Sequence, residues 1–233
     1  DINDFVAGFS ILLKPNGVAT FEFPHLLKLI NENQFDTIYH EHFSYLSLTA
    51  LETIFKENGL QIFDVEDHTT HGGSLRLFAQ RSDTGMQIVS EHVIKLLKSE
   101  IEAGVNCIDL YKDFQTKANI VKDNLLNFLI KAKQDNKRVV AYGAAAKGNT
   151  LLNYAGVRPD LIAYVVDKNP NKQNKCMPGS RIPIRNEEFL KSDKPDYVLI
   201  LPWNLKNEII KQLDYIKDSG GKFVIAIPKI EVI

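Results

Sequence analysis

The sequence predicts an α/β fold, and three observations carry that expectation. Between residues 138 and 228, apolar runs of strand length ("RVVAYG", "LIAYVVD", "DYVLILP", "KFVIAIP") alternate with helical or polar stretches. Such alternation implies a parallel sheet covered on both faces. Residues 1–82 hold three more strand-like runs and two amphipathic helices, and from about 84 to 135 the periodicity is helical throughout. With 233 residues, 44% of them apolar and 24% charged, the chain is able to bury a real core.

At the start, Phe5, Phe9, Leu12 and Leu13 recur at helical spacing, with Asn3 as the expected cap and Pro15-Asn16-Gly17 as a stop. A buried strand "VATFEF" follows. Thr49 and Glu52 fit a capping box for a helix with Leu51, Ile54 and Phe55 on one face, ending at Asn58-Gly59. Strands "LQIFDVED" and "SLRLFAQ" flank the turn "HTTHGG". In the helical stretch, Val93, Leu96, Leu97, Leu110, Phe114, Leu125 and Leu129 mark packing faces and nothing suggests chemistry.

The formal net charge is −1, with acids and bases interspersed, so no footprint for nucleic acid or an anionic membrane is visible. The longest apolar runs are strand-length, shorter than the roughly 20 residues of a membrane helix. Cys107 and Cys176 are the only cysteines, far apart, which argues against a disulfide framework and a thiolate metal site and points to a reducing cytoplasm. The chain does not begin with Met and opens directly in an amphipathic pattern, as a piece of a longer protein would.

Four stretches could carry chemistry. In "FDTIYHEHFSY" (35–45) a histidine lies beside a phenol and a carboxylate. Extended, Tyr39 and Glu41 share one face and His40 and His42 the other; in a helical turn Tyr39 meets His42. A histidine oriented by an acid is a ready general base. A His-x-His metal site and plain aromatic packing are the alternatives. In "HTTHGGSLR" (68–76), Gly73, Ser74 and Arg76 either bind an anionic or polyol ligand or simply make a β-turn, with Arg76 the part hardest to explain as turn chemistry. In "VVAYGAAAKGNTLLNYAG", Gly143, Ala145 and Gly148 match a G-x-G-x-x-G loop with alanine in the middle, and Asp167 lies about 20 residues on. The Ala145 methyl would crowd a pyrophosphate, which disfavours NAD, while a helix N-terminus that accepts a phosphate stays open beside simple helix packing. In "LPWNL" (201–205), Trp203 either stacks a base or packs, and Asn204 could cap the next helix.

The ordered run "FEFPHLLKLINENQFDTIYHEHFSYLSLTALETIFKENGL", "HGGSLR", "YGAAAKGNTLLNYAG", "VDKNPNKQNKCMPGSRIPI" and "LPWNL" resembles the nucleotide-sugar C-methyltransferase family over nearly the whole chain. The resemblance implies S-adenosylmethionine-dependent methylation of a keto-deoxysugar carried on a nucleotide. It divides the chain into the second half of a methyltransferase-type Rossmann domain (1–82), a helical connector (83–135) and a C-terminal Rossmann-like nucleotide-sugar-binding domain (136–233). The family's zinc-binding domain and glycine-rich adenosylmethionine loop would lie outside these residues, so no metal site is expected within them, and the piece alone is expected to be inactive. By resemblance His42 is the general base with Tyr39 and Glu41 beside it, and His40 has no assigned role. Gly73, Ser74, Arg76, Gly143, Ala144, Lys147, Asp167 and Trp203 are expected to contact the nucleotide sugar. A non-catalytic nucleotide or nucleotide-sugar binding module is the alternative. The sugar, the nucleotide and the oligomeric state are not legible.

Overall fold

The computed structural model describes residues 1–233, which form two compact units, Asp1–Asn31 with Phe43–Phe114 and Glu32–His42 with Gln115–Ile233. The first unit contains α1 (Ile2–Leu12), β1 (Val18–Pro24), α2 (Leu26–Asn31), α3 (Leu48–Glu57), β2 (Leu60–His68), β3 (Ser74–Arg81), α4 (Glu91–Glu102) and α5 (Asp109–Lys112). Its sheet has the order β1-β3-β2 and is antiparallel throughout. Central β3 buries Leu75, Leu77 and Ala79 completely, and α3 lays Leu48, Leu51 and Phe55 against them. The spacing of those three residues is the stripe that a 3.6-residue period puts on one helix face.

Several expectations change in this unit. Strand β1 is less buried than its apolar run suggests: it pairs only with β3, and Ala19 is its one buried residue. The cap of α1 is Asp1, whose carboxylate accepts the Asn3 N–H at 2.8 Å, two residues ahead of the expected position. At α3 the cap is Ser47, whose hydroxyl accepts the Ala50 N–H at 3.1 Å, so the Thr49/Glu52 box does not form. Thr49 points elsewhere. Glu100, on α4 and fully buried, accepts the Leu48 N–H (2.8 Å), the Thr49 N–H (2.7 Å) and the Thr49 hydroxyl (2.6 Å), and contacts His25 Nε2 at 2.8 Å. One distant carboxylate thereby satisfies first-turn N–H groups that a helix leaves unpaired.

The second unit contains α6 (Phe114–Gln134) from its second residue on, β4 (Val139–Tyr142), α7 (Ala146–Tyr154), β5 (Val165–Val166), β6 (Ile184–Arg185), α8 (Glu187–Asp193), β7 (Tyr197–Ile200), α9 (Lys206–Gln212), α10 (Tyr215–Asp218), β8 (Lys222–Ile225) and β9 (Glu231–Val232). The expected continuous helical stretch is thus three helices, interrupted by a turn at Gly104, where φ is +85°. The sheet order is β6-β5-β4-β7-β8-β9, parallel except for the last pair. Counted from β4 in chain order, this is 3-2-1-4-5-6, the Rossmann-like arrangement. The strand order reverses between the parallel neighbours β4 and β7, and the crevice beyond their carboxyl ends is where open α/β sheets bind ligands. No helix is long and apolar enough to cross a membrane.

Candidate active site

The segment Glu32–His42 belongs to the second unit and is short on regular structure: one 3₁₀ turn, Phe35–Thr37, then a turn closed by His42 N–H donating to the Tyr39 carbonyl at 2.9 Å. That closure brings together two of the expected residues. The rings of Tyr39 and His42 lie 4.3 Å apart, and the Tyr39 hydroxyl is 3.1 Å from His42 Nε2. On the other side of the imidazole, Nδ1 lies 2.9 Å from the Thr37 carbonyl oxygen. A carbonyl can only accept, so Nδ1 carries the proton and Nε2 is the basic nitrogen. Of the two local geometries open to the sequence, the helical-turn one forms. Glu41 is exposed and makes no hydrogen bond or ion pair, so the acid that orients His42 is replaced by a backbone carbonyl.

Beside Tyr39 and His40 opens a cavity of about 400 Å³ lined by Ala144, Ala145, Lys172 and Lys175 among others. It lies at the carboxyl edge of the sheet, where the loop after β4 enters α7. Gly143 adopts φ +92° there, and a Cβ on it would come within 2.5 Å of Pro202 Cδ. The Ala144 N–H donates to Asp167 Oδ2 at 2.8 Å, and the other oxygen of Asp167 accepts the Asn169 N–H at 2.8 Å. Asp167, placed by spacing where a ribose would be held, spends both oxygens on its own loops. Lys172 adds a bond to the Ala144 carbonyl at 2.8 Å. Gly148 lets α7 approach the end of β7: a methyl there would meet Leu201 Cδ1 at 2.6 Å and Cβ at 2.7 Å. Gly148→Ala should therefore destabilise the protein by about 1–3 kcal/mol through overpacking, measured as a lower denaturant midpoint; an unchanged midpoint would mean that α7 can shift freely.

Trp203 and Lys147 meet a residue that the sequence did not single out. Asp36 is fully buried, and its Oδ2 accepts the Trp203 indole N–H at 2.8 Å. Lys147 Nζ sits 4.6 Å from the Trp203 ring centre and donates to Asn204 Oδ1 at 3.0 Å. Trp203 is thus enclosed rather than offered as an open stacking platform, and Asn204 holds a lysine instead of capping α9. Burial pushes the Asp36 carboxyl up to about 6, against the Trp203 hydrogen bond and the Lys147 charge. Burial also lowers Lys147, against the Asp36 charge. The signal for Asp36 was an acid between Phe35 and Ile38, a poor position for a merely solvated carboxylate.

Gly73, Ser74 and Arg76 lie in the first unit. Gly73 has φ +120° and its carbonyl accepts the His25 N–H at 3.0 Å; the buried Ser74 hydroxyl donates to the Thr70 carbonyl at 3.0 Å. Arg76 is paired across the sheet with Glu22 on β1 through two nitrogens, at 2.8 and 3.2 Å, and with Glu66 on β2 at 3.6 Å. Its hydrogen bond holds the Glu22 carboxyl below the usual carboxylate range. Both neighbours directly face Arg76 in register, which supplies the cross-strand account that turn chemistry could not. No group of three or more His, Cys, Asp or Glu side chains is placed to hold a metal ion.

A Rossmann-like sheet with a tautomer-fixed histidine and a phenol beside its ligand crevice suits an enzyme or binding domain for a polar small molecule, and sequence comparison gives the class. Residues 69–228 match the family described as C-methyltransferase C-terminal domain, and the chain belongs to it. Over all 233 residues, the Tyr39–His42 turn included, the chain is 38% identical to the C-methyltransferase NovU of Streptomyces niveus. It spans 55% of that protein's length.

Proposed function

We propose that the chain is the base-bearing and substrate-binding part of a C-methyltransferase that acts on a nucleotide-linked keto-deoxysugar. The observation that carries this reading is the His42 imidazole, held by the Thr37 carbonyl with its basic nitrogen turned to the Tyr39 hydroxyl. A proton on the carbon next to a ketone is removed readily only when the enolate is stabilised as it forms. When the ketone binds, the Tyr39 hydroxyl turns from Nε2 to the ketone oxygen and frees the one Nε2 lone pair; Nε2 then takes the proton, the electrons of the C–H bond become the C=C bond, and the carbonyl π electrons pass to the oxygen. Once formed, Nε2–H donates to the Tyr39 oxygen, while the phenol proton stays on the enolate oxygen. The phenol can change roles because its oxygen both accepts and donates.

The donor in this proposal is S-adenosylmethionine, which when bound supplies a methyl group on a sulfonium. Residues 143–148 do not fit it: Asp167 is committed to the Ala144 and Asn169 amides, and Ala145 fills the position where bare backbone is wanted. We place the donor's loop in the part of the protein corresponding to the length of NovU that this chain does not span, and expect the 233 residues alone to transfer no methyl group. The 400 Å³ cavity and the Gly143–Lys147 loop are the proposed contacts for the nucleotide sugar.

Deuterium exchange tests the base separately from methyl transfer. In deuterium oxide, with the donor omitted, the complete protein should exchange the proton next to the ketone of a nucleotide-linked 4-keto sugar faster than buffer does. Exchange at the buffer rate would remove His42 from the base role.

A further inference from the structure

We infer that Asp36 is a positioning residue for His42: by accepting the Trp203 indole N–H it seats the 3₁₀ turn whose Thr37 carbonyl fixes the Nδ1–H tautomer. The inference rests on the proposed function only for its catalytic meaning. The path is short. Trp203 stands just beyond β7, and its indole N–H is a single directional donor on a side chain with two rotatable bonds. Lys147 over the ring face, itself held by Asn204, keeps the indole from turning. From Asp36, one residue along the chain, Thr37 spends its N–H (3.1 Å) and hydroxyl (2.7 Å) on the Gln34 carbonyl. Its own carbonyl is left facing His42 Nδ1 at 2.9 Å. The sheet edge thus reaches the imidazole through Trp203, Asp36 and Thr37.

Asp36 cannot itself touch a substrate, being fully buried, and it is a poor choice for stability. Its Oδ1 is also buried and has no hydrogen-bond partner. A carboxylate buried this deeply carries a desolvation penalty that an apolar residue would avoid. What an apolar side chain lacks is an acceptor for the Trp203 N–H, a directional bond between the segment and the sheet edge. Phe35 contributes packing against Tyr154, with ring centres 5.2 Å apart, which holds the segment down without setting its orientation.

The tautomer of His42 reads the effect without recourse to activity. In the 233-residue chain labelled with ¹⁵N-histidine, long-range ¹H–¹⁵N correlation at a pH where His42 is neutral should show Nδ1 protonated and Nε2 bare, the resonance being assigned by its disappearance in His42→Gln. In Asp36→Ala the signal should move toward the Nε2–H form that free imidazole favours. Trp203→Phe, which keeps the ring and removes the donor, should do the same, and it decides the matter if Asp36→Ala does not fold. Asp36→Asn, whose amide oxygen still accepts from the indole, should keep the native tautomer. An unchanged tautomer in folded Asp36→Ala or Trp203→Phe would overturn the inference, as would its loss in folded Asp36→Asn. In the complete enzyme, Asp36→Ala should lower kcat up to about 10²-fold, the effect of a small misplacement of a catalytic group, with KM little changed and Asp36→Asn restoring most of the rate. If the tautomer responds as stated while His42→Ala leaves deuterium exchange intact, the base assignment fails and the positioning role stands.

Discussion

His42→Ala in the complete protein should lower both deuterium exchange and methyl transfer by about 10²–10⁴-fold, the range that a positioned general base contributes. The loss should fall on kcat, because the imidazole acts on a proton that moves only in the transition state. Binding of the methyl donor should persist. Folding should change little, since His42 is only half-buried and lies in a loop turn outside the packed core. Tyr39→Phe should cost less, roughly 10²-fold, because it removes one hydrogen-bond donor to the enolate and leaves the base in place. The double variant should be scarcely slower than His42→Ala alone, since without the base little enolate forms for the phenol to stabilise. Single-turnover methyl transfer with saturating donor distinguishes these outcomes. Turnover retained in His42→Ala would end the base assignment, and additive losses would mean that Tyr39 works independently of the histidine.

The parallel sheet was legible in the sequence because its strands are buried on both faces and appear as unbroken apolar runs; "VVAY", "YVLI" and "KFVI" are β4, β7 and β8. The run "LIAYVVD" was equally apolar yet only Val165–Val166 is a strand, since Ile162 and Tyr164 are buried from the approach to it. Periodicity reports burial, and burial does not require a ladder. The contact of Tyr39 with His42 was legible because it spans three residues. Adjacency and the family resemblance predict Glu41 beside them, and the turn that forms leaves it exposed. Asp36 was not legible as a partner of Trp203 because 167 positions separate the two. The same distance effect governs caps. Ser47, Thr49 and Glu52 are all acceptable cap residues in a local window, and the choice among them is settled by Glu100, 51 positions beyond Thr49. The helical periodicity of the stretch that holds Glu100 predicts packing alone.

That carboxylate should be the most costly single side chain to remove from the first unit. Glu100→Ala leaves the Leu48 and Thr49 N–H groups, the Thr49 hydroxyl and the buried His25 ring without their shared acceptor. Orphaned buried donors cost about 1–3 kcal/mol each, and more where the lost acceptor is charged. Since the orphans share one site and water can enter the space vacated, about 3–5 kcal/mol for the whole is the expectation. Glu100→Gln should lose roughly half as much: the amide oxygen still accepts, but its NH₂ faces groups that are themselves donors. Glu102→Ala, an exposed acid on the same helix 3.8 Å from Lys98, should stay within about 0.5 kcal/mol of the parent. The pH dependence follows from the sign of the shift. Burial pushes the Glu100 carboxyl up, but its bonds to His25, Thr49 and Leu48 outweigh burial and leave it below the ordinary glutamate value. A depressed carboxyl contributes stability above its unfolded value of about 4.3 and loses it as pH falls through the folded value, so the gap between parent and Glu100→Ala should narrow in acid. Trp203, the only tryptophan, belongs to the second unit, so its fluorescence would miss a local loss in the first. Amide exchange at Leu48 and Thr49, together with the denaturant midpoint followed by far-UV circular dichroism, measures it directly. Unchanged protection at both amides in Glu100→Ala would mean that Ser47 alone caps α3 and that the buried glutamate serves something else.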